Sequence, residues 1–159
     1  MTTTYDDSLA TKTLYAAEDR VLGMLDRGGL VDFHGSMLSL DGCKVRRFEP
    51  QQAPIVQGMI DGLWTAHGGK GSAPLLRISK QAGGGRAWYS RGGHEIVLPL
   101  HRWAMQDLVI LHELSHGIAN VGHNQRSSHG HTWRRTYAAL VSDVIGPEAG
   151  LLLMDALSL

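Results

Sequence analysis

Cysteine is almost missing from this chain. Cys43 is the only one, so neither an internal disulfide nor a paired-cysteine zinc ribbon can form. A lone cysteine reads as a small half-buried apolar residue rather than a reactive thiol. An excess of either charge is missing too. Fifteen Lys and Arg balance fifteen Asp and Glu, and nothing global draws the chain to nucleic acid or a membrane surface. No apolar run is long enough to span a bilayer, and no basic-then-apolar segment opens the sequence. The expectation is a soluble cytoplasmic protein. Repeats, low-complexity stretches and linkers are absent as well. With 159 residues, 43% hydrophobic and 19% charged, the chain reads as one domain over 1–159, its polar residues 1–7 frayed.

What the chain does have is histidine, nine in all, most of them in the second half. The elements around them can be read in order. Leu14, Val21, Leu22 and Leu25 recur at helical spacing until Gly28-Gly29 stops the helix, which reads as scaffold. Residues 30–50 carry little pattern; Val45 and Phe48, set among Lys44, Arg46 and Arg47, suggest a short strand with a solvated basic face. After Pro50 and Pro54, the stripe Ile55, Val56, Met59, Ile60, Leu63 and Trp64 predicts a packed helix ending at Gly68-Gly69. Between 74 and 100, short apolar runs separated by Gly83-Gly84-Gly85 and Gly92-Gly93 suggest an antiparallel meander or hairpins, closed by Pro99.

The centre of the second half is Leu111-His-Glu-Leu-Ser-His-Gly117, on a helix expected from about 102–105 to Asn120. Residues four apart share a helix face, so His112 and His116 can reach one metal ion, with Glu113 beside a water on it. Trp103, Val109, Ile110, Leu111, Leu114 and Ile118 make this helix apolar on more than one side, hence buried. Burying two imidazoles and a carboxylate without partners would cost several kcal/mol; a metal removes that objection.

A third ligand must come from downstream. The elongated motif HExxHxxGxxH would need glycine at 119 and histidine at 122, but the chain has Ala119, Gly122 and then His123, one place late. No glutamate follows His116 until Glu148, which suits the start of a helix beyond Gly146-Pro147 better than a metal. His129 and His131 remain, and as close neighbours they point differently. Whichever does not ligate is left to bond substrate, stabilise an oxyanion or face solvent. Trp133, Tyr137, Leu140, Val141 and Val144 then form one face of a further helix.

HELSH, a loop and His129-Gly130-His131-Thr132-Trp133 resemble the SprT-like zincins, which carry HExxH followed by HGxxF or HGxxW. Within that group, the chain is similar to small metallohydrolases of actinobacteria and their phages, chiefly over residues 85–155. The resemblance implies an α+β, zincin-like (minigluzincin-type) domain with a small, mainly antiparallel sheet on the active-site helix. It also implies Zn2+ held by His112, His116 and His129, with Glu113 as general base, and Gly130 and Trp133 as turn and packing positions. His131 falls at a variable position of the pattern and stays the alternative third ligand.

The expected function is that of a zinc hydrolase, a metallopeptidase acting on a peptide or protein. An extended substrate could pair along the strand ending at Leu98-Pro99. A non-catalytic zinc-stabilised binding module and a DNA-associated protease, with Arg126, Arg134 and Arg135 toward phosphate, are the alternatives. The first is disfavoured because structural zinc sites commonly use cysteine, the second by the neutral net charge.

Overall fold

A computed structural model of the chain describes residues 3–80, 85–119 and 129–159, the first eight of these by backbone alone. Helix α1 spans Thr3–Arg27; it starts inside the stretch expected to be frayed. It ends where the double glycine said it would. Gly28 takes φ +64°, a left-handed turn that costs glycine little, and its N–H closes on Met24 O at 3.0 Å.

The poorly patterned stretch that follows contains a hairpin, β1 Leu30–Phe33 and β2 Ser36–Ser39, paired antiparallel. Its two-residue turn, His34-Gly35, has positive φ at both positions. That is the geometry a tight hairpin needs. Asp32 stabilises it by accepting the Gly35 N–H at 2.9 Å. The strand expected at Val45–Phe48 is reduced to one bridge, Arg47 to Gln106. The basic residues there hold the fold together. Arg46 donates through Nε and its own N–H to the fully buried Asp107, and Arg47 pairs with Asp26 at 2.8 Å.

Helix α2, Ala53–Ala66, follows a 3-10 turn at Pro50–Gln52 and buries Val56, Ile60, Leu63 and Trp64, as its stripe predicts. Strands β3 Leu75–Ser79, β4 Trp88–Ser90 and β5 Glu95–Pro99 form one sheet in the order β3-β5-β4. Here the expected antiparallel meander is corrected, while the alternative, a hairpin, holds for β4 and β5. β4 and β5 pair antiparallel, but β3 and β5 run parallel, so the sheet is mixed. The chain passes the middle position, forms the edge strand β4, then turns back to fill the gap with β5. Ile96, Val97 and Leu98 are fully buried, which is why β5 reads as a continuous apolar run instead of an alternation.

Three helices complete the domain: α3 Asp107–Ala119, α4 His131–Val144 and α5 Pro147–Ala156. α3 begins later than the sequence suggests, with Asp107 in its first turn, where a carboxylate meets the positive end of the helix dipole. β4 and β5 pack on α3 from one side, α4 from another, and α5 joins α4 to α1. The architecture is α+β, with α3 buried at its centre. No helix among the described residues is long and apolar enough to cross a membrane.

Candidate metal centre

α3 is buried almost all round, and His112 and His116 lie one turn apart on it. His129 precedes α4 by two residues and reaches the same point. The Nε2 atoms of His116 and His129 stand 3.3 and 3.2 Å from Nε2 of His112. These three residues form a group whose ligand atoms all lie within 4.8 Å of one another. A tetrahedral ion with Zn–N bonds of about 2.0–2.1 Å sets its ligand nitrogens about 3.3–3.4 Å apart, and both spacings from His112 fall close to this. A proton serves one such pair of nitrogens at a time, whereas a single cation serves all three. The residues fit a metal ion.

Trp133 is the floor of the site. Its ring packs 4.7, 5.3 and 4.6 Å from the rings of His112, His116 and His129, and its Nε1–H donates to His112 O at 3.3 Å. Arg134, the next residue, donates through Nε to His129 O at 2.9 Å and through Nη1 to Leu157 O at 2.8 Å. The end of α5 thereby braces the third histidine. Arg134 is thus taken up by two carbonyls, Arg135 is exposed, and Arg126 lies outside the described residues. His123 lies outside them too. His131 is exposed and is not in the converging group.

Electrostatics separates the three imidazoles. Burial, then the charge of His112, pushes the pKa of His116 down to about 3. The same two causes, with Arg134 added, take His129 down to about 4. Both are neutral near pH 7 with nitrogen lone pairs to give. For His112, burial works against the cation, yet the hydrogen bond and charge of Glu18, with the charge of Glu113, outweigh it and raise the pKa. Burial raises the pKa of Glu113, against His112 and the Tyr89 backbone N–H, which favour its carboxylate.

Glu113 Oε1 lies 3.9 Å from His112 Nε2, and both residues line a cavity of about 390 Å³. Leu22, Ala87, Trp103, Leu108 and Val109 give this cavity apolar walls, and Arg86 is its only Lys or Arg among the described residues. Gln106, also in its wall, is 6% exposed, and its Oε1 has no hydrogen-bond partner among the described residues. An acceptor sealed away without a donor is a costly feature for a fold to keep.

The sequence reading of α1 as scaffold is incomplete. Tyr15, Glu18, Asp19 and Leu22 of this helix line the cavity, and Glu18 Oε1 accepts from His112 Nδ1 at 2.6 Å. The available signal was the helical spacing of Tyr15, Glu18 and Leu22 next to the buried stripe Leu14, Ala17, Val21 and Leu25. Compared with known proteins, the chain matches no family model, no curated protein and no solved structure.

Proposed function

We propose that the protein is a zinc-dependent hydrolase of the SprT-like zincin type, a metallopeptidase that cleaves an amide bond in a peptide or protein. The observation that carries this reading is Glu113, 3.9 Å from the ligand nitrogen of His112 on the wall of the cavity. A structural zinc site has no use for a buried carboxylate at that position. His112, His116 and His129 would hold the zinc, which would supply Lewis acidity when bound. Glu113, on the cavity wall, would take a proton from the attacking water and pass it to the leaving amine.

The cavity suits a substrate with a hydrophobic side chain, because its walls are largely apolar. β5 pairs with β3 over its whole length and with β4 only over Glu95 to Val97, so Leu98 and Pro99 have a paired strand on one side alone among the described residues. β4 is an edge strand, and Gly85 to Ala87, leading into it, line the cavity. An extended substrate pairs along this edge. A DNA-associated variant of this reading has less support, since Arg46, Arg47 and Arg134 are already engaged.

The test is Glu113→Gln, assayed against a mixed peptide library with the zinc content measured alongside. The variant keeps one zinc per chain and loses turnover by a factor of about 10²–10⁴, the share a positioned acid–base group supplies. Turnover at the wild-type rate removes the mechanism.

A further inference from the structure

We propose that Glu18, on the N-terminal helix, is the residue that orients His112 and sets how tightly the centre holds its metal. The proposal rests on reading the histidine triad as a metal site. Glu18 is 94 positions away from His112 in sequence, yet its Oε1 meets Nδ1 at 2.6 Å, a charge-assisted hydrogen bond. The two side chains are only 15% and 6% exposed. A carboxylate this far from water needs a partner to be tolerated, and at this point of α1 the partner is a metal-ligand candidate.

The bond does two things to the imidazole. It places the proton on Nδ1, which leaves the Nε2 lone pair facing Nε2 of His116 and His129. It also puts negative charge behind the ring, making Nε2 a stronger donor to a cation. His112 sits between two carboxylates with different tasks. Glu18 holds Nδ1, and Glu113 approaches from the Nε2 side at 3.9 Å, free to handle a proton. The Trp133 Nε1–H fixes the backbone of the same residue through His112 O. Ring rotation, tautomer and backbone are then all constrained, from two other elements, α1 and α4. α1 therefore belongs to the metal centre, and the centre requires α1 to be docked.

The experiment measures Zn2+ affinity by competition with a chromophoric chelator, and the absorption of the Co2+-substituted protein, in full-length variants that need no substrate. Glu18→Ala weakens zinc by about 10–100-fold, the usual effect of losing such a partner, and alters the Co2+ spectrum. Glu18→Gln, whose amide oxygen still accepts the Nδ1–H, recovers part of that loss. Asp26→Asn, which removes an exposed charge from the same helix away from the cavity, binds as the wild type does. Zinc affinity within about twofold of wild type in Glu18→Ala, with an unchanged Co2+ spectrum, overturns the proposal. So does an equal loss in Asp26→Asn, which would mark a general charge effect. If Glu18→Ala does not fold, Glu18→Gln decides by the same twofold criterion. No zinc binding by the wild type is a different failure, that of the triad itself.

Discussion

His129 and His131 are two residues apart and start from the same chemistry, yet they end in different surroundings. His129 is held by Arg134 through its carbonyl and packs against Trp133, whereas His131 opens α4 from an exposed position. Replacing His129 by alanine removes one of three nitrogen ligands and should weaken zinc binding by more than about 100-fold, beyond the loss of an outer partner. His131→Ala should bind zinc as the wild type does. Isothermal titration of both variants decides the assignment, and the opposite pattern would move the third ligand to His131. The motif histidines and Glu113 were legible because helix spacing alone puts them on one face. Glu18 was not, because its role depends on which helix docks against α3, and a single acid on an amphipathic helix carries no mark of that. Gln106 was invisible for a similar reason, since its lack of a partner exists only once the cavity closes around it.

At the scale of elements, helix positions were read well and strand partners poorly. α2, α4 and α5 follow their apolar stripes and proline starts, features local to each segment. The β1–β2 hairpin escaped because His34-Gly35 is not one of the usual turn pairs, and its strands leave Leu30 and Met37 exposed. The parallel pairing of β3 with β5 escaped because glycine clusters mark where the chain turns, not which neighbour it returns to. Contacts between helices are equally non-local, and one of them bears on the metal centre. Gly150 of α5 lies so close to α4 that an added Cβ would stand 2.7 Å from Ser142 Cβ and 3.1 Å from its Cα. Gly150→Ala gains about 1 kcal/mol of helix propensity but forces the helices apart, at a cost of about 1–3 kcal/mol. The expected result is a net loss of stability, read as a lower denaturant midpoint. Because α5 carries Leu157 O, which anchors Arg134 and through it His129, zinc affinity should fall in the same variant. A stable variant with unchanged zinc affinity would show that α5 does not brace the site.

For the molecule as a whole, the metal centre is the place where distant parts of the chain meet. His112 and His116 come from α3, His129 from the approach to α4, and Glu18 from α1. An ion bound there ties these elements together and is lost when they separate, so its binding free energy adds to folding free energy. At free zinc about 100 times the dissociation constant, the gain is about 2.7 kcal/mol. For a chain of this length each kcal/mol moves the melting temperature by about 2–4 °C, so the expected rise is about 5–11 °C. Thermal unfolding with excess chelator and with buffered free zinc measures it directly. His116→Ala gives the control, because a variant lacking one ligand should lose most of the shift. If wild type and His116→Ala melt alike in both conditions, zinc is not held by this triad. If both gain equally, it binds elsewhere. A shift confined to the wild type would make the metal a structural partner of the fold as well as the reagent proposed for its chemistry.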